Sequence, residues 1–232
     1  YQNTLIGGLA GTAITTALDN VAVGYASLGV NTTGASNTAL GAYALDANTT
    51  AGNNTAVGAG SVGSNTTGAG NTGIGRVALT TNTTGNDNVA LGYRALNLST
   101  TASNNTAIGK DALYANTTGH SNVAVGALAL DANTTGEENT AVGKNVLGAN
   151  TTASYNTSMG SSSMLVNTTG ANNVALGVNA LKSNTTASNN TGIGFGALVA
   201  NTTGANNTAV GALAGDGMTT GDNNTALGYT AM

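Results

Sequence analysis

The chain has 232 residues, of which 35 are glycine, none is proline, cysteine or tryptophan, and only 6% are charged. Low charge and the absence of proline argue against disorder driven by charge repulsion. A formal net charge of −4 with five Lys and Arg residues offers no basic surface for nucleic acid or anionic lipid, and no apolar run reaches the roughly 20 residues of a membrane-spanning helix.

A tandem repeat of 17 residues runs through the chain. Each repeat opens with an asparagine in the pattern Asn-[Thr/Val]-x-[Val/Ile/Leu/Met]-Gly, and we call these residues the anchor asparagines. They are Asn3, Asn20, Asn37, Asn54, Asn71, Asn88, Asn105, Asn122, Asn139, Asn156, Asn173, Asn190, Asn207 and Asn224. Disordered sequence has no reason to keep a period without insertions, whereas stacked coils require one. The sequence therefore predicts an all-β fold: a parallel β-solenoid of 17-residue coils, with residues 1–232 as a single solenoid of about fourteen repeats.

The first predicted element of each repeat is a short strand. The residue after the anchor is Thr or Val, a small residue usually follows, and the next is aliphatic, as in Val21-Ala22-Val23. This alternation has the period of a β-strand. We call the fourth residue of the repeats the aliphatic row, which includes Val23, Leu40, Val57 and Ile74. The row is predicted to face a shared interior, because one face of such a strand must be buried.

An invariant glycine follows the predicted strand, from Gly7 in the first repeat to Gly228 in the last. We expect it to occupy a corner with positive φ or to allow a close approach of backbone. Four residues later comes a mostly leucine row, the inner leucine row, which includes Leu28, Leu45 and Leu96. It is predicted to mark a second short strand. A helix is disfavoured because Gly, Asn and Thr, which recur throughout, are weak helix formers.

Most repeats then read Asn-Thr-Thr, which matches the acceptor motif for N-glycosylation. We call its ten asparagines the corner asparagine row: Asn31, Asn48, Asn65, Asn82, Asn116, Asn133, Asn150, Asn167, Asn184 and Asn201. They are candidate glycosylation sites, and the alternative is an asparagine-stabilised corner followed by a threonine ladder. Further acceptor motifs begin at Asn53, Asn97, Asn104, Asn156, Asn189, Asn206 and Asn223.

The threonine pair persists in the three repeats that lack the corner asparagine. These repeats carry Ile14, Ser99 or Met218 in its place. The persistence predicts a structural role for the threonines that is independent of any glycan.

Stacking places residues that are 17 positions apart at about 4.8 Å from each other, so like residues form ladders along the solenoid axis. This spacing predicts ion pairs between Arg94 and Asp111 and between His120 and Glu137.

The same spacing places Tyr93 between Arg76 and Lys110, an arrangement that favours cation–π contacts. The Gly-Gly-x-Gly-x-Asp calcium repeat and the Gly-x-Ser-x-Gly nucleophile motif are both absent. We therefore expect no enzyme activity, no metal site and no cofactor.

Several phrases resemble the head repeats of YadA-like trimeric autotransporter adhesins and repeats of phage tail-fibre proteins. They are NTALG at 37–41, NVAVG at 20–24, NTAIG at 105–109 and NVALGYRAL at 88–96. The resemblance implies a left-handed parallel β-roll that packs as a trimer. It also implies display outside a cell or virion, and use in attachment.

The sequence shows no capping repeat at either end, and each predicted coil has few large apolar residues. Because solenoids need polar caps and enough buried surface, we expect a segment of a longer chain or filament, with copies of itself as partner. The predicted function is a structural repeat of an extracellular fibre, adhesin or tail-fibre shaft at a cell or virion surface, with glycans or a host surface as further partners. Membrane insertion is not expected.

Two other functions fit a β-solenoid. The first alternative is an ice-binding solenoid, since flat threonine rows can match ordered water. The second is a carbohydrate-processing β-helix, but this activity needs an acidic cluster in a groove, and the nine acidic residues are scattered over the repeat.

Overall fold

Each repeat folds into one three-residue strand followed by a turn-rich return, and like strands of successive repeats lie side by side. The structure is a computed structural model that describes residues 2–232. It is an all-β parallel β-solenoid with a 17-residue coil, which confirms the predicted fold class. The chain divides into two compact units, Tyr1–Thr118 and Gly119–Met232, which are described separately below.

The first unit contains seven parallel strands that pair in sequence order. They are β1 (Thr4–Ile6), β2 (Val21–Val23), β3 (Thr38–Leu40), β4 (Thr55–Val57), β5 (Thr72–Ile74), β6 (Val89–Leu91) and β7 (Thr106–Ile108). The partners of Val21, Ala22 and Val23 in the next strand are the residues 17 positions later. Each residue therefore stacks on its equivalent in the neighbouring coil.

The second unit contains seven strands with the same parallel pairing. They are β8 (Val123–Val125), β9 (Thr140–Val142), β10 (Thr157–Met159), β11 (Val174–Leu176), β12 (Thr191–Ile193), β13 (Thr208–Val210) and β14 (Thr225–Leu227). Here too every partner is offset by one 17-residue repeat, as in Thr140 opposite Thr157.

Apart from β1, the strands bury their middle residue rather than the aliphatic row. Ala22, Ala39 and Ala56 are fully buried, whereas Leu40 and Ile74 are both 37% exposed. Every member of the aliphatic row in residues 2–232 is half-exposed or exposed. The prediction that this row faces the interior was therefore wrong, although the alternation itself is present. Alternation alone cannot say which of its two faces is buried.

The interior is too narrow for a larger side chain at the middle of the strand. That position holds Ala in most strands, Gly73 and Gly192 in β5 and β12, and Ser158 in β10, while the Leu5 of β1 is exposed. A Cβ added to Gly73 would lie 2.5 Å from Cγ2 of Val62, a member of the inner leucine row. Ser158 is accommodated because its hydroxyl pairs with that of Ser163 at 2.6 Å inside the same coil.

The inner leucine row fills this interior from a turn. Leu28, Leu45 and Leu96 are fully buried, but their φ angles are 48°, 50° and 51°. The second short strand predicted here was wrong, because the residues are left-handed turn residues. This conformation costs an L-residue about 1–2 kcal/mol. Complete burial of a leucine side chain contributes about 1.5–3 kcal/mol, which offsets the cost.

The invariant glycine meets both expectations made for it. Gly41 has φ 138°, and a Cβ at this position would lie 2.7 Å from the carbonyl oxygen of Gly58 in the next coil. The corner therefore requires a residue without a side chain, both for its backbone angle and for the distance between neighbouring coils.

Candidate functional site

The corner asparagines form a buried amide ladder. In the coil that follows Asn31, Asn48 Nδ2 donates hydrogen bonds to Asn31 Oδ1 and to the Ala51 carbonyl, both at 2.9 Å. All ten predicted glycan acceptors have no exposed surface: Asn31, Asn48, Asn65, Asn82, Asn116, Asn133, Asn150, Asn167, Asn184 and Asn201. A glycan on Nδ2 would displace a donated hydrogen and would require space that the folded coil lacks. The structure therefore favours the corner interpretation over glycosylation of this row.

The anchor asparagines add a second buried ladder. Asn37 Nδ2 donates to the carbonyl of Ala51 at 2.9 Å, the same carbonyl that accepts from Asn48. The backbone N–H of Asn37 donates to Asn20 Oδ1, also at 2.9 Å. Two amides from one coil thus meet at one carbonyl, and each coil is also tied to its neighbour. These bonds satisfy polar groups in a core whose largest buried side chains are mostly leucine.

Over the range that the structure describes, the amide ladder of the corner asparagine row lacks a hydrogen bond at two places. At both places the next coil has another residue where most repeats have asparagine. Asn82 Oδ1 and Asn201 Oδ1 have no hydrogen-bond partner among residues 2–232. The next coils carry Ser99 and Met218 at the position of the missing donor. The Ser99 hydroxyl is itself buried without a partner in the described chain.

The two threonines of each pair differ in their environment. The first is half-buried, and its hydroxyl donates to the next coil, as from Thr32 Oγ1 to the Thr49 carbonyl at 3.0 Å. Thr100, which follows Ser99, makes the same contact with Thr117 at 3.2 Å. This pattern explains why threonine persists where asparagine is lost. The second threonine, as at Thr33, is exposed.

The remaining acceptor motifs are not equally accessible. Asn156 is fully buried, and Asn97 is half-buried with its Nδ2 donating to the Val77 carbonyl at 2.8 Å. Asn53, Asn104, Asn189, Asn206 and Asn223 are exposed and lie at the last position of the repeat. In the folded state only this exposed group has open space around its side chains.

The outer face of the strands is an uncharged strip of aliphatic side chains and threonines in each unit. We define the strand strip as the aliphatic row together with the Thr or Val that precedes it by two positions. In the first unit Leu91 is 41% exposed and Val89 is 37% exposed on β6. In the second unit Met159 is 44% exposed on β10, between the half-exposed Val142 and Leu176.

Charged side chains gather in three successive coils of the first unit. Arg94 Nε lies 2.7 Å from Asp111 Oδ1, as predicted from the repeat, and the Asp111 side chain is only 6% exposed. The hydrogen bond to Asp111 raises the pKa of the Arg94 guanidinium above its usual value. Lys110 Nζ lies 3.8 Å from the other carboxylate oxygen of Asp111. The carboxylate therefore has two cationic neighbours.

Two tyrosine rings complete this group. The Arg94 guanidinium carbon lies 5.2 Å from the centroid of Tyr93 and 4.7 Å from that of Tyr114. The guanidinium carbon of Arg76 lies 6.0 Å from the Tyr93 centroid, which confirms one of the two cation–π contacts predicted for Tyr93. We call Arg76, Tyr93, Arg94, Lys110 and Tyr114 the cation–aromatic cluster.

The predicted contact between His120 and Glu137 is also present, and it is an ion pair when the imidazole carries a second proton. His120 Nε2 lies 2.9 Å from Glu137 Oε2, and the two side chains are 46% and 38% exposed. A pair this exposed contributes little to stability, about 0–1 kcal/mol.

Within residues 2–232 no group of three or more His, Cys, Asp or Glu side chains is arranged to hold a metal ion. The described residues also form no helix that is long and apolar enough to cross a membrane. No protein-family model matches the chain, and comparison with curated proteins gives no match either. The class that the structure defines is thus a repeat protein with a β-solenoid fold, and the adhesin-like phrases remain a resemblance.

Proposed function

We propose that this β-solenoid is a structural segment of an extracellular fibre or attachment structure, and that it associates with copies of itself through the strand strip. The observation that carries the proposal is the aliphatic row, which is conspicuously apolar yet lies outside the coil. Leu40, Ile74 and Leu91 are 37%, 37% and 41% exposed in the single chain. A contiguous exposed apolar patch of this kind is typical of a protein–protein interface.

A second copy of the chain is the partner that fits the strip best. Within each unit the aliphatic side chains recur once per coil, at the strand spacing of about 4.8 Å. The strip of another copy has the same spacing, so its side chains can interdigitate at every coil, as identical strands do in dry sheet interfaces. An unrelated surface lacks this period.

The proposal includes a role without catalysis and a location outside the cell or at a virion surface. Side chains on the remaining faces are mainly Asn, Thr, Ser and Ala, which keep the surface wet with little charge. The resemblance of phrases such as NVALGYRAL to adhesin heads and tail fibres supports the same role. The trimer implied by that resemblance is one form that the assembly can take.

Val125→Arg tests the proposal. Val125 is half-exposed in the strand strip, so a single chain can fold with an arginine at this position, its side chain extending into solvent. In the proposed interface the same arginine places an unpaired charge. We expect light scattering coupled to size exclusion to show oligomers for the unchanged chain and smaller species for the variant. Thr135→Arg adds the same charge at an exposed second threonine and should leave the oligomers intact.

Circular dichroism of both variants checks that the β-structure is retained, and Val125→Thr provides a milder change at the same site. A stable monodisperse monomer of the unchanged chain, with its β-structure kept on dilution, would contradict the fibre proposal. So would equal oligomer loss in both arginine variants.

The ice-binding alternative has one observation in its favour. The second threonine, as at Thr33, Thr50 and Thr67, is exposed in successive coils and forms a regular row. The first threonine offers less to ice, because its hydroxyl already donates to the neighbouring coil. Thermal hysteresis of the purified chain, lost on changing Thr50 and Thr67 to Ala, would support this alternative.

A further inference from the structure

The cation–aromatic cluster concentrates the positive charge of an otherwise acidic chain. Arg76, Arg94 and Lys110 are three of only five Lys and Arg residues in a chain of net charge −4. All three lie in successive coils of the first unit, where Arg76 and Arg94 contact the ring of Tyr93 and Lys110 lies near Asp111. Such a concentration is not a consequence of the repeat, since the equivalent positions elsewhere are mostly uncharged.

The cations of the cluster differ in whether they already have an ionic partner. Arg94 and the buried Asp111 carboxylate share a hydrogen bond at 2.7 Å and largely neutralise each other. Arg76 takes part in no ion pair among residues 2–232, and its side chain contacts the face of Tyr93. The Lys110 side chain is 67% exposed and lies 3.8 Å from a carboxylate that already accepts from Arg94. Arg76 and Lys110 are therefore the two cations that an external anion can reach.

We propose that the cation–aromatic cluster binds the carboxylate groups of an acidic polysaccharide. Arg76 and Lys110 lie two coils apart, which is about 10 Å at the strand spacing. One small anion cannot contact both, whereas an extended polymer with regularly spaced carboxylates can. Arginine suits carboxylates because its planar guanidinium can donate two parallel hydrogen bonds.

The tyrosine between the two cations favours a sugar over a simple anionic chain. Tyr93 is 40% exposed, and because Arg76 and Arg94 lie over its ring, a ligand meets the part of the side chain that they leave uncovered. An exposed tyrosine combines apolar carbon surface with a hydroxyl, and a sugar presents matching apolar surface and hydroxyl groups. This inference adds a ligand to the attachment role proposed above, but it uses residues outside the strand strip.

The test is binding of the purified chain to immobilised alginate, a polymer of uronic acids, at low ionic strength. We expect the unchanged chain to bind alginate and not neutral dextran. The double variant Arg76→Ala/Lys110→Ala should bind about tenfold more weakly, because each exposed ion contact contributes up to about 1 kcal/mol. Lys144→Ala/Lys182→Ala removes the other two Lys and Arg residues, changes the net charge equally, and should bind like the unchanged chain.

Tyr93→Phe should keep most of the binding and Tyr93→Ala should lose it. Absence of alginate binding, or equal loss in the two double variants, would overturn the proposal. Equal binding to duplex DNA would overturn the assignment to polysaccharide. Light scattering on the same samples reports self-association separately, so failure of the polysaccharide proposal is distinguishable from failure of the fibre proposal.

Discussion

Asparagine side chains take over part of the role of an apolar core in this protein. The amide of Asn48 is fully buried, and both hydrogens of its Nδ2 are donated, one to the previous coil and one within its own. A buried amide costs free energy unless its groups are paired. Repetition solves this problem, because each coil supplies the acceptor that the next coil needs.

The ladder defect at Ser99 predicts a stabilising substitution. In Ser99→Asn the new amide can donate to Asn82 Oδ1, which has no partner in the described chain. Pairing a buried unsatisfied acceptor should raise the free energy of unfolding by about 1–3 kcal/mol. Urea denaturation followed by circular dichroism measures the change.

Ser99→Ala is the control for this prediction. It removes the unpaired buried hydroxyl but supplies no donor to Asn82, so it should change stability by less than the asparagine does. A Ser99→Asn variant that is no more stable than Ser99→Ala would show that the amide ladder does not supply the expected stabilisation.

Gly41→Ala tests the backbone requirement at the corner. The new Cβ would lie 2.7 Å from the Gly58 carbonyl oxygen, on a residue with φ 138°. Backbone strain of this kind costs about 1–3 kcal/mol before the clash is added, so we expect a loss of at least about 2 kcal/mol in the free energy of unfolding. At Gly217 a Cβ meets nothing within 4 Å, so Gly217→Ala should be close to neutral. Comparable losses in the two variants would argue against the corner geometry.

At the scale of the element, the two faces of each three-residue strand have different roles, one inside the coil and one on its surface. The middle residue, usually alanine, closes the coil interior, while the outer residues form the strand strip. The buried apolar volume comes instead from the inner leucine row, which lies in the turn. Truncation of two leucines in one coil should therefore affect different properties, stability for the inner one and self-association for the outer one.

The variants Leu96→Ala and Leu91→Ala test the inner and the outer role of leucine within a single coil. Leu96 is fully buried, so its truncation should lower the free energy of unfolding by about 2–5 kcal/mol. Leu91 is 41% exposed, and its truncation should cost less than about 1 kcal/mol in dilute solution while weakening self-association. Denaturation and light scattering on both variants measure the two effects. A larger stability loss for Leu91→Ala would mean that the aliphatic row belongs to the core after all.

At the scale of the whole molecule, the two proposed surfaces differ in physical character. The strand strip is uncharged and consists of aliphatic side chains and threonines, whereas the cation–aromatic cluster carries two cations that solvent can reach. Exposed charges are screened over about 10 Å at 0.1 M salt, whereas apolar association is not weakened in this way.

Salt should therefore separate the two activities. Raising sodium chloride from about 0.02 M to about 0.5 M should abolish alginate binding and leave the oligomers intact. Binding assays and light scattering across this series check the prediction. Dissociation of the oligomers by salt would assign self-association to charged groups rather than to the strand strip.

The sequence by itself determined the architecture, because a strict repeat constrains every coil at once. The 17-residue interval between anchor asparagines predicted the coil, and the coil in turn predicted the contacts of Arg94 with Asp111 and of His120 with Glu137. The invariant glycine was also explained in advance by its lack of a side chain. Such features depend on repetition and local sterics, which are visible in one chain.

Only the tertiary structure decided which residues face inward. The alternation of Val21-Ala22-Val23 fits either orientation, and the narrow interior selects the alanine because leucines such as Leu28 already fill the space from the turn. The Asn-Thr-Thr motif likewise fits an exposed acceptor or a buried corner, and in the folded chain Asn31 and Asn48 are buried and joined in an amide ladder. Burial depends on what the rest of the coil brings to the same place, and no local pattern contains that information.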